Sequence, residues 1–324
     1  MKKNGLALGA VGLAALCLVY AGVSQYMNRS EKGAEQKEEA SRVYMTDISD
    51  VSAVSYDYQG QELLFTKKDG VWKYDGDDLF PVKQEKLEAL AATASKLEAL
   101  RKLEGGDSLS SYGLDVPART VEVTAGDGKK SDILLGTATS DGDYYAMVQG
   151  EDTPYLISSS LFSETDSGLE ALQALEEFPA IAGADITGIM IKKDGTSQNY
   201  VKKTLEDEAK TVEWYRDSSD TPDNKLSDNS ALNVLADSLS GLKVKSCSNY
   251  KVQESELAGY GLDDPTAVIT YTYEKNGSQE NFTLNIGSLN QDSSAYYTRT
   301  EDSPNVNEID KASIDKCLTV DKGI

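Results

Sequence analysis

The chain contains no histidine. That absence removes Ser-His-Asp and Cys-His catalysis, histidine proton shuttling near neutral pH, and every zinc site that uses an imidazole. Cysteine is scarce, with three residues in all. Cys17 lies in an apolar N-terminal run, which leaves Cys247 and Cys317 for the rest of the chain. Two thiols do not define a disulfide framework, so they are either one bond in an oxidising compartment or two buried thiols. Positive charge is in short supply: 32 Lys+Arg stand against 54 Asp+Glu, a net charge of −22. Without Lys2 and Lys3, which precede the apolar run, 30 stand against 54, or −24. Such a surface repels nucleic acid and anionic lipid headgroups, which argues against both as partners and suits a soluble exported domain. Phenylalanine is sparse, 5 residues against 18 Tyr. That balance points to half-buried strand positions, where a ring packs and its hydroxyl reaches water.

What is present starts with the run from Gly5 to Val23. A helix of that length spans about 28 Å, close to the hydrocarbon thickness of a bilayer. The positive flank places the N-terminus in the cytoplasm and the remainder outside, as a single-pass protein of the cell membrane. Residues 1–26 are therefore read as a transmembrane anchor. A cleaved signal peptide is the alternative, although its apolar core is usually shorter. A lipoprotein signal modified at Cys17 is a third reading, which Leu16 fits poorly where a small residue is expected. Residues 27–44 hold almost nothing able to build a core and read as a polar stalk. With 324 residues, the chain has room for two domains beyond them.

Residues 45–180 read as a first module. Val51, Val54, Tyr56 and Tyr58 begin a strand, Glu62 to Thr66 a second, and Lys68-Asp69-Gly70 turns into Val71-Trp72-Lys73-Tyr74. Leu87, Leu90, Ala94 and Leu97 then follow a 3-4-3 spacing, which predicts an amphipathic helix over residues 83–103, ended by Gly105-Gly106. Next comes Tyr112-Gly113-Leu114-Asp115-Val116-Pro117, in which Gly113 suits a positive φ and Pro117 a rigid extended exit. Thr120–Thr124 and Ser131–Leu135 form a hairpin over Asp127-Gly128, Gly136 marks its end, and strands follow over Asp143–Val148 and Tyr155–Ile157. Leu169, Leu172, Leu175 and Phe178 predict a linking helix that ends before Pro179.

Residues 181–324 repeat the order. Asp47 matches Asp185 at an offset of 138, Trp72 matches Trp214 at 142, and the stripe from Leu87 matches that from Leu232 at 145. Tyr112 matches Tyr260 at 148, Gly136 matches Gly287 at 151, and Tyr144-Tyr145 matches Tyr296-Tyr297 at 152. An offset that only grows is what small loop insertions in the second copy produce. A repeat this long is a whole domain, not a solenoid unit. The expected fold class is α+β, with two tandem duplicated modules after the N-terminal transmembrane helix. Each module is an antiparallel sheet with a long amphipathic helix on one face.

The tandem Tyr-Gly-Leu-x-x-Pro segments, the Val-Trp-Lys-Tyr strand before a helix, and the later Gly followed by a Tyr-Tyr strand carry a resemblance. Over roughly residues 45–315 the chain resembles the bacterial domain-of-unknown-function family numbered 4340. The resemblance supplies no catalytic residues to transfer. It implies a membrane-anchored protein encoded beside ABC-type transporter permeases and auxiliary proteins related to gliding machinery, and hence an accessory of a transport complex.

No motif read from the residues adds chemistry. Ser227-Asp228-Asn229 is like one motif of penicillin-recognising serine enzymes, but Ser-x-x-Lys falls only downstream and Lys-Thr-Gly is missing, so helix capping is the reading. Acidic turns such as Asp75-Gly76-Asp77-Asp78 lack the spacing of an EF-hand loop, and no carboxylate pair is singled out for glycoside hydrolysis. No catalytic residue, cofactor or metal is therefore expected. Tyr112, Gly113, Leu114 and Pro117, with Tyr260, Gly261, Leu262 and Pro265, are read as a structural bend. Consecutive strand residues point to opposite faces, so one ring of Tyr144-Tyr145 and one of Tyr296-Tyr297 should be buried and the other exposed. The exposed rings are the candidate binding surface. The expectation is a non-enzymatic extracytoplasmic scaffold or accessory protein, with a transporter permease or auxiliary subunit as partner. The alternative is a cell-envelope glycan- or peptide-binding module that uses the cleft between repeats, its ligand unknown.

Overall fold

A computed structural model describes residues 42–104, 107–217, 221–226, 228–301 and 303–318. The apolar run and the stalk up to residue 41 lie outside the described residues. Among the described residues no helix is long and apolar enough to cross a membrane. The described residues divide into two compact units: one holds residues 42–76 together with Gln84–Leu172, the other Asp77–Lys83 and residues 173–318.

The first unit contains a nine-stranded sheet and the second an eight-stranded one, with every pairing antiparallel. The strands of the first unit are β1 (Val43–Tyr44), β2 (Val51–Tyr58), β3 (Gln61–Lys68), β4 (Val71–Tyr74), β5 (Glu98–Lys102), β6 (Arg119–Ala125), β7 (Lys130–Ala138), β8 (Tyr144–Val148) and β9 (Tyr155–Ile157). Their spatial order is β1-β5-β9-β8-β7-β6-β2-β3-β4. The second unit has β10 (Ile186–Lys193), β11 (Thr196–Thr204), β12 (Val212–Arg216), β13 (Ser246–Asn249), β14 (Ala267–Lys275), β15 (Ser278–Leu289), β16 (Ala295–Thr300) and β17 (Val306–Asp310). Its order, β13-β17-β16-β15-β14-β10-β11-β12, is that of the first unit without β1. The duplication read from the drifting offsets is thus a duplication of topology, and the class is α+β.

Each core forms where the alternating strand face meets one helix stripe. In the first unit Val54, Tyr56, Leu63, Phe65, Val121, Val123, Ile133 and Leu135 are buried beside Leu87, Leu90, Ala91 and Ala94 of α1 (Gln84–Ser95). In the second, Ile189, Ile191, Tyr271, Leu284 and Ile286 are buried with Leu232, Leu235, Ala236 and Leu239 of α3 (Ser230–Ser240). Two short helices close the last strands: α2 (Ser160–Glu164), which buries Leu161, and α4 (Lys311–Leu318), which buries Ile314 and Cys317.

Four expectations need correction. The helix expected over 83–103 ends at Ser95, and Glu98–Lys102 is strand β5. Leu97 suits either element, because it extends the helical stripe and also starts a two-residue alternation with Ala99 buried and Leu100 55% exposed. Strand partners decide the matter: Met45 N–H donates to Leu97 C=O, the Leu97 amide donates to Thr46 Oγ1, and β5 pairs with β1 and β9. For the same reason the fold begins at Val43, inside the segment read as stalk. The linking helix over Leu169–Phe178 is only a 3-10 turn at Leu169–Leu172. Beyond it, side chains of the second unit capture the chain: Glu176 accepts from Thr300 Oγ1, from Ser303 Oγ at 2.9 Å and from Asn307 Nδ2 at 2.8 Å. Gln173 to Ala180, read from the sequence as the end of the first repeat, therefore belong with the second unit.

Asp77–Lys83 is the less expected member of that unit. Asp77 accepts from Tyr250 Oη at 2.6 Å and from Lys251 Nζ, and Phe80 packs edge-on against Tyr250 at 5.4 Å. The Lys251 and Tyr250 bonds hold the Asp77 carboxyl down at about 2. Cys247 and Cys317 are free thiols, and burial pushes them up to about 11 and about 12. Both stay protonated and poorly nucleophilic at neutral pH.

The core of the second unit carries a stacked pair, Tyr271 and Phe282, at 4.9 Å, and Tyr273 donates to Glu280 Oε2 at 2.6 Å. Burial raises the Tyr271 phenol, and the Glu280 bond raises Tyr273 to about 12. A phenol raised in the folded state stabilises fully below its unfolded value of about 10, and that contribution is lost as pH climbs through the folded value. The second unit is therefore expected to lose stability progressively above about pH 10. Melting followed against pH together with tyrosinate absorbance checks this, and Tyr273→Phe should flatten the slope.

Candidate functional site

The Tyr-Gly-Leu stretches end short 3-10 helices, four residues at Leu109–Tyr112 in the first unit and seven at Glu254–Tyr260 in the second. Gly113 and Gly261 close them in the left-handed region, with φ of 68° and 66°, which glycine adopts without strain. The tyrosine carbonyl then lies against the sheet of its own unit. A Cβ on Gly136 would sit 2.1 Å from Tyr112 O, and one on Gly287 2.2 Å from Tyr260 O. Thr137 Oγ1 and Ser288 Oγ donate to those same carbonyls, each at 3.1 Å. Both contacts fall at a register shift, between Leu135 and Ala138 on β7 and between Ile286 and Leu289 on β15. The bend is thus a lock: a glycine-containing bulge admits a carbonyl, and the following hydroxyl binds it. Leu114 and Leu262 are buried beneath, while Pro117 and Pro265 are half-buried just before the next strand.

The structure brings the two groups of singled-out residues together. Tyr112 packs on Tyr145 at 4.7 Å, and Tyr260 on Tyr297 at 5.0 Å. The first ring of each pair turns toward the closing helix instead. Tyr144 stacks on Phe162 at 4.3 Å, and Tyr296 donates to Asp315 at 3.2 Å. Alternation does separate the two rings, but all four are half-buried, so the division into one buried and one exposed ring does not hold. Each ring leans on a residue outside its own strand, which the strand period does not reveal.

Sequence reading missed a clamp around each tryptophan. Trp72 and Trp214 are 2% and 1% exposed, on the outermost strands β4 and β12. Gln84 binds the edge backbone of Trp72 at both ends, accepting from its N–H at 2.8 Å and donating to its carbonyl at 3.0 Å. Glu88, one turn on, accepts the indole N–H at 2.6 Å. In the second unit Asn229 accepts the Trp214 backbone N–H at 3.1 Å and Asn233 its indole N–H at 3.0 Å. The outer backbone groups of both tryptophans are occupied, which blunts these edges against strand addition. The signal was present at the same offset of 145 that relates the helix stripes, as a polar pair four residues apart on each helix. Asp228, from the Ser-Asp-Asn triplet, does cap α3 through the Ser230 amide at 2.7 Å, and Ser227 lies outside the described residues.

Each unit has a cavity among its described residues. In the first, about 550 Å³ is lined by Tyr112, Asp107, Leu109, Met147 and Pro154 among others. The corresponding place in the second unit is filled by Val252, Leu257, Leu262 and Val306. The second unit instead has about 630 Å³ lined by Lys202, Thr187, Thr204, Asn233, Asp237 and Glu274 among others. Burial lowers the Lys202 pKa, against the pull of Asp185 and Asp237. Elsewhere Lys67 and the Trp72 indole hold Glu88 low, and burial raises Glu164, which accepts from Thr93 at 3.0 Å. Among the described residues no three His, Cys, Asp or Glu are grouped to hold a metal ion.

The lock makes a specific demand. Gly113→Val or Gly261→Val should destabilise its own unit by about 1–3 kcal/mol, from backbone strain and the 2.7–2.8 Å approach to Thr137 or Ser288. Chemical denaturation of each variant measures this, and unchanged transitions in both would show the bend to be dispensable.

No curated protein and no solved structure matches the chain. The family model described as Domain of unknown function (DUF4340) matches it twice, over residues 72–224 and 214–321. The first match starts at Trp72 and the second at Trp214, the two clamped tryptophans. With two matches in tandem and one strand order used twice, the chain belongs to the Domain of unknown function (DUF4340) family.

Proposed function

We propose that the protein is a non-enzymatic extracytoplasmic scaffold or accessory, held in the membrane by a helix within residues 1–26. Its partner is another membrane protein, a transporter permease or auxiliary subunit. The observation that carries this reading is how the unusual polar groups are used. Glu88 is committed to Trp72 and Lys67, Glu176 to the β16–β17 side chains, Asp77 to Tyr250 and Lys251, and both thiols are protonated. Groups that a catalyst would free for substrate are spent here on holding a duplicated frame. The apolar run behind Lys2 and Lys3, and an acidic surface suited to export, support the location. The partner's identity as a transport component rests on the family resemblance alone. A second reading, a glycan- or peptide-binding module, is favoured by the cavity found in each unit.

Full-length protein extracted from its native membrane and purified under mild conditions should bring down a permease or auxiliary subunit at a fixed ratio. Repeated recovery of the protein alone, with and without prior cross-linking, would sink the scaffold reading.

A further inference from the structure

Lys202 occupies in the second copy the place that Lys67 holds in the first. Each lysine is the cross-strand neighbour of the clamped tryptophan. Each ammonium lies over that indole, 5.4 Å from the Trp72 ring centre for Lys67 and 5.2 Å from the Trp214 ring for Lys202. The first copy adds a carboxylate: Glu88 Oε1 is 2.7 Å from Lys67 Nζ. The second copy has Asn233 at that point, which takes the indole N–H but brings no charge. Lys202 donates to the Ala184 carbonyl at 2.7 Å, and among the described residues it forms no ion pair. The nearby carboxylates are engaged or peripheral. Asp185 accepts the Ala182 amide at 2.9 Å, and Asp237 and Glu274 are exposed.

This half-buried lysine donates to a carbonyl and lies over a ring, but among the described residues no carboxylate reaches ion-pair distance, so it lacks the close counter-ion that its twin has, and it lines a cavity of about 630 Å³. A ligand carboxylate placed there would gain a charge-assisted bond. Asp237 and Glu274 line the same cavity, which penalises a polyanion and rewards a ligand that also carries a positive group. We infer that the Lys202 cavity binds a small zwitterion, a free amino acid or a short peptide, with its carboxylate on Lys202 and its ammonium toward Asp237 and Glu274. This goes beyond the scaffold reading, since co-purification of a membrane partner is indifferent to it.

Calorimetric titration of the full chain in nanodiscs, at neutral pH and low salt, separates the two charges. The probes are alanyl-alanine, its N-acetylated form and its C-terminal amide. Alanyl-alanine should bind, and each blocked form should bind at least about tenfold more weakly. An amide that binds as well as the free dipeptide overturns the role of Lys202, and an acetylated form that does so overturns that of the carboxylates. Absence of binding by alanyl-alanine at millimolar concentration overturns the site altogether. Lys202→Met should abolish binding. Asn233→Glu should abolish it as well without lowering the melting temperature, because the new carboxylate takes Lys202 as Glu88 takes Lys67. Undiminished binding by the folded N233E protein would likewise overturn the inference.

Discussion

Each copy depends on satisfying one buried indole N–H. A buried donor without an acceptor costs on the order of 1–3 kcal/mol, so Trp72 and Trp214 can sit inside only if the helix above supplies an oxygen. Glu88 and Asn233 supply it, and Gln84 and Asn229, four residues earlier, hold the backbone of the same tryptophan. Residues four apart lie on one face of a helix, one turn above each other. The helix is thereby pinned to the outermost strand at two heights, and its apolar stripe comes down on the sheet in a single register.

Pinning by hydrogen bonds leaves charge free to differ between copies. A carboxylate and an amide oxygen both accept an indole N–H, so Glu88 and Asn233 keep the clamp equally well. They leave their neighbouring lysines in opposite states, one neutralised and one not. The carbonyl lock behaves in the same way. Tyr112 and Tyr260 make the same backbone contact with Gly136 and Gly287, while the space beside them is open in the first unit and packed in the second. Duplication preserved the contacts that hold each frame together, and the differences accumulated in the polar groups around them.

Much of the frame was legible in the chain. The Leu87 and Leu232 stripes, the alternating strands and the glycines of the bend carry local signatures, because period and φ are properties of a few neighbouring residues. The tyrosine pairs were less legible. Their alternation was readable, but what each ring meets is set by Phe162, Tyr112, Asp315 and Tyr260, which lie 18 to 37 residues away in sequence. The tryptophan clamp could have been found, since its polar pairs recur at the helix offset. Only the requirement that a buried indole be satisfied gives those residues a meaning.

By itself the sequence determined that there are two copies, in what order their elements come, and where each must bend. The tertiary structure alone decided that Glu98–Lys102 is a strand, that Glu176 draws residues 173–180 into the second unit, and that Asp77–Lys83 joins them there. It also decided that Lys202, unlike Lys67, forms no ion pair among the described residues and lines a cavity. The division has a physical cause. Local geometry is encoded in spacing along the chain, whereas a backbone or a charge is claimed by whichever distant partner satisfies it best, and no spacing records that partner.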